Sequence, residues 1–200
     1  MNAYTSSFTT PDSTPPHFSS FTIRQAQLEE IGEVSEVITR SFHTCEGIGI
    51  LMYPFLKLGI YEDIRSRLRN QTSHYACIIA TSTTGEISGA VELGLSGSEN
   101  LISKEYQSTY ISNLAVSPNY RRQGIARGLL KNCEEVTAKW GFSEVYLHVL
   151  DNNWQAQKLY KQCGYQICRA ETSLISWLFQ QPRRLLLKKR LVIGHPSTNK

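Results

Sequence analysis

The run from Leu114 to Leu130, LAVSPNYRRQGIARGLL, constrains this chain more than any other stretch. An apolar strand breaks at Pro118, passes Arg121 and Arg122, and enters a helix through Gly124. A helix that begins in a glycine-containing turn directs several unpaired backbone N–H groups, and the positive end of its dipole, at whatever precedes it, so an anion is the natural guest. Arg121, Arg122 and Arg127 add charge at the same place. Gly124 lets the backbone approach an anion closely, and Ala126 keeps the next inward position small. The spacing differs from the better-known nucleotide loops: there is no G-x-x-x-x-G-K-[ST], and R-x-x-G-x-A at Arg121, Gly124 and Ala126 is not G-x-G-x-x-G. The plain alternative is an ordinary strand, turn and helix with solvated arginines.

A chain of 200 residues suits one domain with a substantial core. No apolar run approaches the roughly 20 residues of a membrane helix, and no charged-then-apolar leader opens the sequence, so a soluble, cytoplasmic protein without a membrane partner is expected. Five cysteines, Cys45, Cys77, Cys133, Cys163 and Cys168, form no C-x-x-C pair. They suggest neither a disulfide framework nor a metal site and fit a reducing compartment. The net charge is +4, and the basic cluster Arg183, Arg184, Lys188, Lys189 and Arg190 lacks interleaved aromatic residues. It reads as a late strand with charged ends rather than as a nucleic-acid surface.

Residues 1–20 are rich in Ser, Thr and Pro and read as a disordered tail; 193–200 form a second tail. Between them, residues 21–192 read as one domain. Phe21 to Ala26 is a first strand, and Leu28, Ile31, Val34, Val37 and Ile38 recur at helical spacing up to about Phe42. The stretch His43 to Ile60, interrupted by Gly47, Gly49, Pro54 and Gly59, is too broken for a regular helix and too apolar for an open loop. Two readings stand, a cover over a cleft and a loop packed on the core. A second helix is predicted from Tyr61 to Asn70. Strands follow at Tyr75 to Thr81, Ile87 to Leu95 and Thr109 to Val116, the first two joined as a hairpin. The helix after Gly124 should stop at Gly141. Val145, Leu147 and Val149 alternate as a strand, Asp151, Asn152 or Asn153 caps a helix ending at Cys163 and Gly164, and Tyr165 to Arg169 and Arg184 to Val192 are the last strands. This order predicts a mixed α/β sheet flanked by helices.

The order of elements, the Leu114–Leu130 run and a second block, NWQAQKLYKQCGY from Asn153 to Tyr165, resemble the GCN5-related N-acetyltransferase (GNAT) family over roughly Phe21 to Val192. The second block matches the family's N-x-x-A-x-x-x-Y-x-x-x-G-[FY] pattern. The overall pattern is similar to the cyanobacterial and plastid branch. The resemblance implies a central sheet splayed between its two middle strands. It implies that backbone amides of Arg122, Gln123, Gly124, Ile125, Ala126 and Arg127 hold the pyrophosphate of acetyl-CoA, with no metal. The pantetheine arm would pair with the backbone of Leu114, Ala115 and Val116 and bond to Asn153, and the N–H of Leu114 would face the carbonyl oxygen. Tyr160 would protonate the departing thiolate. Its seven-residue spacing from Asn153 puts both near one helix face, since two turns cover about 7.2 residues. The plain alternative for Tyr160 is a core tyrosine that only packs.

For the base that accepts the amine proton, strand parity puts Tyr110, Ser112 and Leu114 on one face, and Tyr146 and His148 on one face of a strand able to lie alongside. The pair YISNL and VYLHV resembles the arrangement in N-terminal acetyltransferases of the Nat E type, where a strand tyrosine and a strand histidine act through water. A histidine satisfied in the core is the plain reading of His148. Glu92 is the second candidate, although solvent exposure is the commoner fate of a strand carboxylate. A protein α-amino group has a pKa near 8 and a lysine near 10.4, so at neutral pH the neutral fractions differ by more than about 100-fold.

These residues together imply acetyl-CoA-dependent transfer to a primary amine in a ternary complex. Protein α-amino and lysine groups come first. A serotonin-like arylalkylamine comes second, on the aromatic segments Met52 to Phe55 and Trp177 to Phe179. A regulatory acyl-CoA-binding module is the non-enzymatic alternative.

Overall fold

The computed structural model describes residues 21–42, 48–70, 73–95, 108–171 and 182–192, without the side chains of 42 and 48–52. Both predicted tails, Cys45, the Met52 side chain and Trp177 to Phe179 lie outside the described residues. In chain order the elements are β1 (Thr22–Gln25), α1 (Ile31–Phe42), α2 (Ile48–Arg69), β2 (Ala76–Thr81), β3 (Ile87–Leu95), β4 (Thr109–Val116), α3 (Ile125–Lys139), β5 (Glu144–Leu150), α4 (Trp154–Gln162), β6 (Gln166–Glu171) and β7 (Arg184–Arg190). The strands form one seven-stranded sheet in the order β1-β2-β3-β4-β5-β7-β6. Every neighbouring pair is antiparallel except β4 and β5. The expected mixed sheet is thus the one observed.

Alternation along the strands builds two cores, one on each face. Ile78, Val91, Leu93, Ile111, Val145, Leu147 and Leu187 pack with Ile125, Leu129, Leu130 and Cys133 of α3 and Tyr160 of α4. On the other face Cys77, Ile79, Ala90 and Ala115 pack with Ile31, Val34 and Ile38 of α1 and Ile64 of α2. Removing a side chain such as Leu129, fully buried, would cost about 2–5 kcal/mol.

Two features of this sheet position the site. The parallel contact of β4 with β5 is limited to Thr109↔Val145, Tyr110↔Tyr146 and Ile111↔Leu147, so from Ser112 onward the two strands part. On its other side β4 carries a bulge: Glu92 pairs with Ser112 and Ala90 with Ala115, leaving Asn113 and Leu114 opposite Val91 alone. Asn113 takes a left-handed φ of 52°, which turns the chain there.

The bulge corrects one expectation. Tyr110 and Ser112 do share a face, but the extra residue inverts the alternation, so Leu114 packs into the α3 core while Ala115 joins the α1 core. A second correction concerns 48–60, which is helix and runs without a break into the predicted Tyr61–Asn70 helix, with Pro54 inside it. Pro54, seventh in the helix, removes one i→i−4 hydrogen bond, and packing against α1 outweighs that local cost. Tyr53 and Lys57 both bind Glu36 of α1, the Tyr53 hydroxyl donating at 2.8 Å, and Ile60, Tyr61 and Leu68 pack on the α1 core.

Candidate active site

The start of α3 keeps the form its sequence suggests. Gly124 caps it at φ 85° with no side-chain cap, and Arg122 before it is also left-handed at φ 66°. The Gly128 N–H donates to the Gly124 carbonyl at 3.0 Å, so the N–H groups of Ile125, Ala126 and Arg127 precede the first helical bond. A Cβ built on Gly124 would meet nothing within 4 Å, so the space around the turn is open. Of the arginines, Arg121 donates from Nε to the Val116 carbonyl at 3.2 Å, fastening the turn to the end of β4. Arg127 donates to Gln162 at 3.3 Å, tying α3 to α4, and Arg122 is exposed. Gln123 donates to the Asn119 carbonyl at 3.5 Å within the turn. Next to this turn, the edge of β4 from Ser112 to Val116 is released by β5, which leaves Leu114, Ala115 and Val116 facing the gap.

After β5, the other strand of that gap, comes α4. Asn153 caps it, its Oδ1 accepting from the Ala156 N–H at 3.1 Å, which leaves the amide Nδ2 as its remaining donor. Two turns on, Tyr160 is 8% exposed and packs edge-to-face on Tyr165 with ring centroids 6.0 Å apart. Among the described residues none hydrogen-bonds its hydroxyl. Burial, with a smaller contribution from Tyr110, pushes the Tyr160 phenol up to about 12, so it carries its proton at neutral pH.

On the opposite face, Tyr110 and His148 meet as the strand pattern suggests. The Tyr110 hydroxyl and His148 Nδ1 are 2.7 Å apart, and His148 Nε2 lies 3.1 Å from an Glu171 carboxylate oxygen. Burial, then the nearby Arg184 charge, lowers the His148 pKa below its ordinary value against the opposing pull of Glu171. Burial raises the Tyr110 phenol, against Arg184. The pair therefore rests as a protonated phenol beside a neutral imidazole. Glu171 and Arg184 stand opposite each other on β6 and β7. No local motif marks Glu171: it reaches His148 from a strand 23 residues further on.

Glu92 departs from expectation, since it is fully buried rather than exposed. Tyr75 donates its hydroxyl to Oε2 at 2.6 Å, Asn113 donates to Oε1 at 2.5 Å, and Arg67 lies 3.5 Å from Oε2. Three donors, from α2, from the loop before β2 and from β4, hold it, and the last of them is the bulge residue itself. Burial and the adjacent carboxylate raise the Tyr75 phenol, which stays a donor. Elsewhere, four of the five residues of the late basic cluster pair within the domain: Arg183 with Asp151, Lys188 and Arg190 with Glu144, and Lys189 with Glu134. Among the described residues no helix is long and apolar enough to cross a membrane.

Comparison with known proteins gives the family. The model of the acetyltransferase (GNAT) family matches residues 31–165. The chain belongs to the GNAT family of acetyltransferases. It is 28% identical to GCN5-related N-acetyltransferase 10, chloroplastic, of Arabidopsis thaliana, over 81% of this chain and 68% of that protein. Four further chloroplastic relatives from the same plant align over only 20–31% of their own lengths. A thialysine N-epsilon-acetyltransferase of Bos taurus is 33% identical over 52% of this chain and 64% of its own. Among solved structures, the PaiA N-acetyltransferase of Thermoplasma acidophilum in complex with coenzyme A superposes with a TM-score of 0.65 at 18% identity, covering 86% of this chain and 99% of that one. This last likeness is one of fold.

Proposed function

We propose that this GNAT acetyltransferase moves the acetyl group of acetyl-CoA directly to a protein amine, with an N-terminal α-amino group as the preferred acceptor and lysine ε-amino groups as the second. Three features support the reading together: the start of α3 without a side-chain cap, the buried Tyr160 phenol with no hydrogen-bond partner among the described residues, and the Tyr110–His148 hydrogen bond at 2.7 Å beside the parting of β4 and β5.

Acetyl-CoA supplies an activated thioester and a polyanionic handle. The amides of Gly124, Ile125, Ala126 and Arg127, with Arg122 and Gln123, are assigned the pyrophosphate, because donors without partners in an open, dipole-favoured turn suit that charge. Leu114, Ala115 and Val116 offer the released strand edge to the pantetheine arm, assisted by Asn153. The Leu114 N–H is assigned to the carbonyl oxygen. Tyr160, held protonated by burial, gives its proton to the leaving sulfur. Tyr110 and His148 take the proton of the incoming amine.

The choice of acceptor follows from which groups are free to act. Glu92, the second base candidate, is occupied by Tyr75, Asn113 and Arg67. The Tyr110–His148 pair is a mild base and suits an α-amino group, whose neutral fraction at pH 7 is about 100 times that of a lysine. The relative named for a thialysine ε-amine keeps ε-amines in second place. Arylalkylamines come third; of the aromatic residues that suggested them, Phe55 is 68% exposed on α2. The cysteine pattern supports a reducing compartment, proposed as the cytoplasm, with the plastid stroma as the rival that the relatives' chloroplastic names bring in. Fractionation decides between them.

Incubation with acetyl-CoA and three acceptor sets tests the reading: peptides with free N-termini, lysine peptides with blocked N-termini, and serotonin. The free N-termini are expected to give the highest kcat/KM. Faster acetylation of serotonin than of either peptide set would overturn it.

A further inference from the structure

The Tyr110–His148 pair does not end at His148. The imidazole continues to Glu171 at the last position of β6, so the three side chains form one line of hydrogen bonds from β4 through β5 to β6. We propose that Glu171 is a positioning residue of this transferase, fixing His148 as the Nε2–H tautomer so that Nδ1 is free to accept the Tyr110 proton, and balancing the imidazolium that results.

The tautomer follows from donor and acceptor chemistry. An ionised carboxylate can only accept, so the nitrogen facing Glu171 at 3.1 Å must carry hydrogen. A neutral imidazole has one N–H, which leaves Nδ1 with a lone pair 2.7 Å from the Tyr110 oxygen, and the phenol must be the donor there. Among the described residues Glu171 alone faces Nε2, and without it the ring can take the other tautomer, in which Nδ1–H points at the phenol and blocks transfer.

Exposure gives the line a direction. The His148 side chain is 8% exposed and that of Glu171 28%, so the inner end is dry and the outer end touches solvent. As the acceptor ammonium gives a proton to the Tyr110 oxygen, the phenol releases its own to His148 Nδ1. One N–H bond of the amine breaks, one phenolic O–H replaces another, and the charge moves onto the imidazole beside Glu171. The Nε2 proton can then leave at the solvent side. Arg184, on the strand between, opposes this by disfavouring a charged imidazole. It keeps His148 neutral before the reaction, while Glu171 favours the cation during it. Of the titratable groups facing His148, Tyr110 comes from β4, Glu171 from β6 and Arg184 from β7.

The proposal rests on the Tyr110–His148 base reading above, and the test separates the two. In protein labelled with 15N-histidine, the His148 signal, assigned by its loss in His148→Asn, is expected to show the Nε2–H tautomer in the wild-type protein without substrate. Glu171→Ala should convert it to a mixture and lower kcat about tenfold or more, leaving the KM for acetyl-CoA unchanged, as misoriented bases do. Glu171→Gln keeps an acceptor but not the charge. It should retain the tautomer while the acid limb of kcat moves to lower pH, because loss of the carboxylate lowers the imidazole pKa and the neutral ring is the active form. An Nδ1–H tautomer in the wild-type protein, or an acid limb unmoved in Glu171→Gln, would overturn the proposal. Full turnover in Tyr110→Phe would instead remove the base reading on which it stands, and the tautomer spectrum, needing no substrate, keeps the two failures apart.

Discussion

Two carboxylate clusters occupy the same face of this sheet and differ in what their hydrogen bonds leave over. Glu92 on β3 is fully buried and takes donors from Tyr75, Asn113 and Arg67, so its hydrogen bonds hold a loop, a bulge and α2 together. Glu171 on β6 takes a donor from His148, whose other ring nitrogen accepts from Tyr110, so the three groups form one hydrogen-bonded chain. A carboxylate fixed by several donors stabilises; a chain of phenol, imidazole and carboxylate can exchange protons. The difference lies in the donor count and not in residue type, and in isolation the two glutamates read alike.

The contrast breaks most readily at Glu92. Glu92→Ala strands the buried Tyr75 hydroxyl and Asn113 amide and opens a cavity, and should lower unfolding free energy by about 2–4 kcal/mol in urea titration. A loss below about 1 kcal/mol together with collapsed turnover would move Glu92 from the structural to the chemical side. Next in size is the group across the gap. Tyr160→Phe should reduce kcat by about 10², equivalent to about 2.7 kcal/mol of barrier, while calorimetry finds acetyl-CoA affinity unchanged. Undiminished turnover would leave Tyr160 as a packing residue against Tyr165. The smallest effect is on stability at the open cluster: Tyr110→Phe removes one hydrogen bond worth about 0.5–1.5 kcal/mol net. A stability loss as large as that of Glu92→Ala would erase the distinction between the clusters.

Much of the fold was legible in the chain. The limits of β3 and β4 agree with those read from alternation and turn residues, because those strands combine strong periodicity with clear punctuation. The start of α3 and the helix from Asn153 were equally plain, since caps and glycine turns are local chemistry. The first half of α2 was not: Pro54 and Gly59 argue against a helix locally, and the contacts with α1 that outweigh them are distant in sequence. Nor was the burial of Glu92 visible, because it depends on a tyrosine of a loop, an asparagine of β4 and an arginine of α2.

The run from Leu114 to Leu130 thus determined by itself the strand, turn and helix start assigned to the acyl donor, as the block from Asn153 determined its helix, because a strand, a glycine turn and a helix start act through backbone geometry encoded within a few residues. The arrangement of the residues proposed for the acceptor side was decided only by the tertiary structure. Whether Leu114 faces the same side as Tyr110 depends on a bulge, which exists only when two strands are counted against each other. Which glutamate is locked and which completes a proton path depends on side chains that the sheet brings together from β3, β4, β5, β6 and β7.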